Sequence, residues 1–281
     1  MNVFDRHSIR RNRARAHADH DFLFAHVLRG VGERLLDIRR TFPHALQIGT
    51  RPGQNLEHHG RIETLRSMDW READIIADGE FLPFAPGSFD LLLNIFTLQG
   101  VNDVPGALVQ MRRILKPDGL MMAAFPGGET LFELRESLMH AEMTLAGGVS
   151  PRVAPFADKQ QAGALMQRAQ FALPVVDSER ITVTYAHPFK LLHELRLMGE
   201  GNALAARNRR IPPKALFAAA ADYYIKNFSD SDGRIRATFD IIYLTGWAPH
   251  ESQQQALKPG SGKISLAEAL ETTEHSTGER P

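Results

Sequence analysis

The chain has 281 residues, of which 43% are hydrophobic, and its 33 basic residues balance 33 acidic ones. This length and composition suit one α/β domain with an insertion or two small domains, and a formal net charge of zero gives no global attraction to nucleic acid or to an anionic membrane. The absence of cysteine excludes disulfides, thiolate metal sites and cysteine nucleophiles, and no apolar run approaches the ~20 residues of a membrane-spanning helix.

The chain starts with a basic stretch and a predicted helix. Five arginines lie in residues 1–15, and this stretch lacks the apolar core of a secretory signal, so we expect a cytoplasmic protein. Apolar residues recur at helical spacing from Phe22 to Ile38, which predicts an amphipathic helix over roughly residues 15–40. We take residues 1–40 as an N-terminal arm and helix.

Strands and helices alternate in the next part of the chain. Short apolar runs predict strands at 44–48, 61–66, 73–77, 88–96 and 120–125, and a helix over 104–119 is stopped by its Pro and Gly residues. After the first strand comes a turn with Gly49 and Gly53, the pattern by which a strand leads into a helix beneath a nucleotide cofactor. The alternation predicts a parallel, doubly wound sheet whose ligand lies at the carboxyl ends of the strands.

The C-terminal part is predicted to complete the sheet and cover it. A helix is expected over 158–171, and the segments 180–186 and 237–247 suit a terminal antiparallel hairpin. We therefore divide the chain after the arm into four parts: a core at 41–187, a helical lid insertion at 188–234, a terminal core strand at 235–250, and a polar tail at 251–281. The tail is expected to be disordered, with at most a short helix at "SLAEALE".

Several stretches resemble a known family. "ADGEFLPFAPGSFDLLL" and "GVNDVPGALVQMRRILKPDGLMMAAFPGGETLFELR" look like a class I S-adenosylmethionine-dependent methyltransferase, in the branch that holds the biotin-pathway malonyl-carrier-protein methyltransferase and the mitochondrial complex I assembly factor that hydroxylates an arginine. "VFDR", "GGETLFELR" and "YLTGWAPHESQ" resemble the assembly-factor side. The resemblance implies a Rossmann-like α/β fold with a mostly parallel seven-stranded sheet and a helical lid.

The resemblance also implies a cofactor site for S-adenosylmethionine. In the family, the glycine turn approaches the amino-acid end of the cofactor, an acid at the end of strand two takes the ribose hydroxyls, and an aspartate after strand three receives the adenine amino group. Residues after strand four lie beside the reactive centre. Carried over to this chain, the cofactor-binding candidates are Gly49, Gly53, Asp78, Gly79, Asn94 and Leu98.

The chain departs from the family pattern around this site. Arg51 replaces the central glycine of the turn, where its long side chain is expected to crowd the cofactor, and Gln47 replaces the acid of strand one. Matching "GRI" to the family's second strand places Arg66 at the ribose position, where a guanidinium has only donors to offer to a hydroxyl. After strand four, Gln99 and Gly100 stand where the family usually has His-Trp. The sequence thus predicts a degraded cofactor motif and weak binding.

Two functions remain open from the sequence. One is an S-adenosylmethionine-dependent enzyme that modifies a protein; Asp78 and the lid favour it. The other is a non-catalytic assembly or binding factor for a subunit of the respiratory NADH dehydrogenase, complex I; Gln47, Arg51, Arg66 and Gly100 favour it. For either function we expect a protein partner, no nucleic acid, no integral membrane segment and no metal site, and we assign no catalytic residue.

Overall fold

A seven-stranded sheet organises the described part of the chain. The computed structural model describes residues 2–254, 261–262 and 264–273. In chain order the strands are β1 Phe42–Ile48, β2 Ile62–Asp69, β3 Ile75–Ile76, β4 Phe89–Ile95, β5 Leu115–Pro126, β6 Ala172–Tyr185 and β7 Ile235–Trp247. Their spatial order is β3-β2-β1-β4-β5-β7-β6. The first five strands are parallel, and β7 is antiparallel to both β5 and β6.

Helices cover both faces of this sheet. They are α1 Arg6–Arg13, α2 Phe22–Leu36, α3 Val104–Ile114, α4 Phe132–Ala146, α5 Lys159–Arg168, α6 Pro188–Leu197 and α7 Lys214–Phe228. One apolar core lies under α2, α4, α6 and α7, and a second lies under α3 and α5. Strand β4 is apolar along its length because both of its faces are buried: Leu91 and Leu93 enter the first core, and Leu92 enters the second.

The C-terminal segment from His250 forms a separate unit. In its described part, Leu266–Ala269 form a short helix, α8, which lies within the stretch "SLAEALE" where a short helix was expected. Much of the predicted tail at 251–281 lies outside the described residues.

The element order and the terminal hairpin agree with the sequence prediction, and three local predictions are wrong. The helix expected over 15–40 is shorter and is preceded by a separate helix, α1. The helix expected over 104–119 ends at Ile114, because β5 begins at the next residue. The turn after β1 leads into no helix: residues 49–61 and 70–74, which connect β1 to β2 and β2 to β3, contain turns, bends, irregular backbone and one isolated bridge between Arg51 and Gln54.

Candidate functional site

A cavity of about 230 Å³ lies at the carboxyl ends of the parallel strands. Its floor comes from Ile48 at the end of β1, Gly49 directly after it, Asp69 at the end of β2, Phe96 after β4 and Pro126 at the end of β5. Its roof comes from α1 and from the segment 198–203 that follows α6. This is where a doubly wound sheet carries its ligand, because the strand order reverses there and leaves a crevice.

Gly49 fixes the form of the turn beneath the cavity. Its φ of +90° is unfavourable for other residues, and an added Cβ would lie 2.1 Å from the carbonyl oxygen of Ile95. The buried Gln47 stabilises the same turn, since its Nε2 donates to the Gly49 carbonyl over 2.9 Å. An acid at position 47 could not donate in this way, so the glutamine is a working part of this particular turn.

Asp69 is the acid at the end of the second strand. Residue pairing places Met68 opposite Ile48, so Asp69 lies beside Gly49, whereas Arg66 pairs with Leu46 in the middle of the strand. Arg66 is exposed and is not among the residues that line the cavity. The match that placed Arg66 at the ribose position is therefore wrong.

The carboxylate of Asp69 is held in place by backbone donors. Its Oδ2 accepts from the Thr50 N–H over 3.0 Å, and its Oδ1 accepts from the Trp70 N–H over 2.7 Å. Each carboxylate oxygen can accept more than one hydrogen bond, so acceptor capacity remains for a ligand. The first of these bonds also ties the glycine turn to the end of β2.

Arg51 does not enter the cavity, although the sequence suggested that it would crowd the cofactor. Its Nε lies 2.7 Å from the Asp21 carboxylate, and its Nη2 lies 3.4 Å from that of Glu200. The guanidinium carbon lies 4.9 Å from the centre of the Phe24 ring, and the Arg51 and Asp21 side chains are only 6% and 4% exposed. Arg51 thus links the turn to the start of α2 and to the roof.

Burial raises the pKa of the Asp21 carboxyl above its usual value, and the charge of Arg51 opposes that rise. The close Nε–Oδ2 contact does not have the geometry of a hydrogen bond, so the attraction is that of an ion pair in a poorly solvated place. Such a pair is costly to break on one side only, because the remaining charge stays buried.

Asp78 lies at the mouth of the cavity and is paired with helix α1. Its carboxylate contacts the guanidinium groups of Arg6 and Arg10, the latter over 3.0 Å. Arg6 also lies 3.6 Å from the Glu80 carboxylate. The Asp78 side chain remains 27% exposed, so the carboxylate is engaged but accessible.

Helix α1 is a cavity element that the sequence analysis missed. Asp5 caps it, accepting from the Ser8 N–H, and Arg207 donates to the Asp5 carboxylate over 2.9 Å. The hydrogen bond from Arg207 is the main cause of a lowered Asp5 pKa. Ile9 packs against Gly100, where an added Cβ would lie 3.0 Å from Ile9 Cδ1. The glycine that replaces the family's tryptophan therefore makes room for α1.

The predicted cofactor residues separate into two groups. Gly49, Asp78 and Gly79 line the cavity together. Gly53, Asn94 and Leu98 do not line it: Gly53 lies in an open turn, Asn94 is fully buried within β4, and Leu98 packs in the second core.

Two further observations concern metal sites and membrane-spanning helices. Among residues 2–254 and the described part of the C-terminal segment, no group of three histidine, aspartate or glutamate side chains is arranged to hold a metal ion. No helix in the same residues is long and apolar enough to cross a membrane.

The comparisons with known proteins agree on one family. A methyltransferase domain model matches residues 46–123. The mitochondrial arginine-hydroxylase NDUFAF5 of Danio rerio is 36% identical over 95% of this chain and 89% of its own length, and that of Homo sapiens is 36% identical over 95% and 83%. The malonyl-[acyl-carrier protein] O-methyltransferase of Halorhodospira halophila is 34% identical over 72% of this chain and 67% of its own.

Solved structures support the fold. A Bacillus halodurans protein described as a methyltransferase superposes with a TM-score of 0.53 over 78% of this chain and 99% of its own, at 12% identity. The resemblance drawn from the sequence, the Rossmann-like fold and S-adenosylmethionine as the cofactor of the family are thus confirmed. The predicted cytoplasmic location is contradicted, because the NDUFAF5 relatives of zebrafish, mouse and human are named mitochondrial.

Proposed function

Because this chain belongs to the S-adenosylmethionine-dependent methyltransferase superfamily and, within it, to the family of the NDUFAF5 arginine hydroxylases, we propose that it binds S-adenosylmethionine and modifies a protein client. One observation carries the proposal: Gly49, Asp69 and Asp78, from three separate segments, meet at one cavity. These are the residue types that the family uses for the amino-acid end, the ribose and the adenine of its cofactor.

The residues of the cavity fit such a cofactor. Gly49 leaves the floor open for a close approach, Asp69 offers acceptors to two ribose hydroxyls, and Asp78 offers one to the adenine amino group. The Oε1 atom of Gln99, a cavity residue, is buried without a hydrogen-bond partner, and a ligand donor would satisfy it. When bound, S-adenosylmethionine supplies an electrophilic methyl group, and the role of the chain is to hold it in line with a nucleophile.

The client is proposed to be a protein whose arginine side chain approaches over the lid. The names of the closely similar relatives suggest the arginine, and the resemblance to the complex I assembly factor suggests a complex I subunit. Helices α6 and α7 lie in the proposed lid at 188–234, and Leu195 and Met198 reach from it to the cavity wall. We propose the same division of the chain into arm, core, lid, terminal strand and tail.

The same relatives point to a mitochondrial setting for the function. In the zebrafish and human proteins the word mitochondrial is part of the name, and each aligns over 95% of this chain. A complex I client is consistent with that setting.

A second candidate function is a non-catalytic binding factor with the same client. It is favoured by the two connections without helices, at 49–61 and 70–74, and by the pairing of Asp78 with two arginines of α1. These contacts occupy the Asp78 carboxylate, and a binding factor would hold its client with the lid and use no cofactor.

Calorimetric titration with S-adenosylmethionine and S-adenosylhomocysteine separates the two. The wild type is expected to bind both, and Asp69→Asn is expected to lose about tenfold or more in affinity, since hydrogen bonds to a charged group contribute roughly 1.5–3 kcal/mol. Asp74→Asn is the matched control, because Asp74 is exposed, accepts from Ser67 and does not line the cavity.

The outcomes distinguish the functions. Binding that Asp69→Asn weakens and Asp74→Asn leaves unchanged supports the enzyme. No binding of either ligand by the folded wild type contradicts it and favours the binding factor.

A further inference from the structure

Four arginines line the cavity, and three of them have carboxylate partners. Arg6 and Arg10 pair with Asp78, and Arg152 pairs with the buried Glu142 over 2.5 Å. Within the part of the chain that the structure describes, Arg13 has no carboxylate at ion-pair distance. Its Nη2 donates to the backbone carbonyl of Phe96.

The Arg13 side chain lines the cavity and is half-buried. Loss of solvation there is the main cause of a lowered pKa of the guanidinium; the positive charge of Arg51 adds to this effect, whereas the charges of Glu200 and Asp69 oppose it. The donors that Phe96 does not use can bind a carboxylate along the planar edge of the guanidinium.

Two groups in the cavity, the Phe96 carbonyl and the Arg13 guanidinium, together complement a zwitterion. The Phe96 carbonyl is an acceptor and the Arg13 guanidinium is a donor, and in this structure they satisfy each other. Gly49 lies on the same floor, with its turn against the strand that ends before Phe96. An α-amino acid group carries an ammonium and a carboxylate on one carbon, and it can replace this contact with one bond to each partner.

We propose that Arg13 binds the carboxylate of the amino-acid end of S-adenosylmethionine while the Phe96 carbonyl accepts from its ammonium. The assignment rests on the proposed function, because it needs that cofactor in this cavity. It gives α1 a role in ligand recognition, because this helix supplies the charged group that binds the amino-acid end of the cofactor.

The test uses two ligands that differ only in the carboxylate. S-adenosylmethionine and its decarboxylated form share the adenosine, the sulfonium and the ammonium. Their affinities are measured by calorimetry for the wild type, Arg13→Met and Arg13→Lys. The matched control is Arg11→Met, on the same helix, because Arg11 is exposed and does not line the cavity.

The wild type is expected to prefer S-adenosylmethionine over the decarboxylated form by about tenfold to a hundredfold, the range for a hydrogen-bonded charge pair. Arg13→Met is expected to lose this preference and to bind the decarboxylated form as well as the wild type does. Arg13→Lys is expected to keep part of the preference, and Arg11→Met all of it.

Four results would overturn the proposal. Equal weakening of both ligands by Arg13→Met means that the residue only positions α1. Unchanged or tighter S-adenosylmethionine binding in Arg13→Met means that the guanidinium serves another carboxylate, such as one of the client, or blocks the site. If the wild type binds both forms equally, Arg13 makes no carboxylate contact although the proposed function stands; if it binds neither, the proposed function fails as well.

Discussion

Replacing Arg51 with methionine is expected to destabilise the chain by about 3 kcal/mol at pH 8. The change keeps most of the apolar stem and removes the charge, so the Asp21 carboxylate, 4% exposed, stays buried without its cation. Breaking a buried ion pair on one side costs roughly 3–5 kcal/mol. We take the lower end because the second partner, Glu200, is 35% exposed and returns to water.

The loss should depend on pH in one direction. Burial already raises the pKa of Asp21 above its value of 3.8 in the unfolded chain, and removing Arg51 raises the folded-state pKa further. A carboxyl whose pKa is higher in the folded chain than in the unfolded chain destabilises the fold at a pH where it is ionised. This cost falls as the pH drops toward the pKa of the carboxyl in the unfolded chain. The destabilisation should therefore be smaller at pH 5 than at pH 8.

Urea denaturation followed by circular dichroism measures the effect as a shift of the midpoint at constant slope. The control is Arg66→Met, an exposed arginine in β2, for which a change within about 0.5 kcal/mol is expected. Equal losses in the two variants, or a loss in Arg51→Met that grows as the pH falls, would refute the reading of Arg51 as a buried structural cation.

Three further predictions concern the turn, the Glu142–Arg152 ion pair and helix α1. Gly49→Ala should lower Tm strongly because its Cβ meets the Ile95 carbonyl. Gly53→Ala, with no atom within 4 Å of its Cβ, should cost only the roughly 1–2 kcal/mol of a residue in the left-handed region. Similar Tm values for the two variants would contradict this. Glu142→Ala should cost about 3–5 kcal/mol in urea denaturation, since it leaves Arg152 unpaired beside the cavity, and a loss under 1 kcal/mol would disagree. Asp5→Ala should release α1 and speed tryptic cleavage at its arginines, because the helix loses its N-cap and the contact with Arg207; unchanged cleavage would count against the cap.

The sequence was sufficient for the architecture because the apolar runs are long and periodic. The continuous apolar run at 88–96 is typical of a strand buried on both faces, and the final hairpin followed from two β-rich segments. The glycine turn was found because it directly follows a strand that was correctly predicted, and Asp78 was carried over from the family resemblance.

The remaining parts of the site depended on contacts that no local pattern carries. Asp69 was missed because the register of β2 was counted from the family's spacing, while the short connection at 49–61 has no helix. The signal available was the acid itself, between the apolar residues Met68 and Trp70. Arg51 was read as an obstruction because its partners, Asp21 and Glu200, are far away in sequence.

Helix α1 was missed for a different physical reason. It is polar along most of its length, with only Ser8 buried, so it carries no apolar stripe to recognise. Its stability comes from the Asp5 cap and from Arg207, which is distant in sequence. A helix held by such contacts is visible only once the fold has brought them together.

The most direct test of the account is a crystal structure of the chain with S-adenosylhomocysteine. The account predicts both ribose hydroxyls at about 2.5–3.0 Å from the Asp69 carboxylate oxygens, the adenine amino group at Asp78, and the amino-acid end on the floor beside Gly49, with Arg51 still paired to Asp21. A ribose bound near Arg66, or a ligand lying outside this cavity, would contradict it.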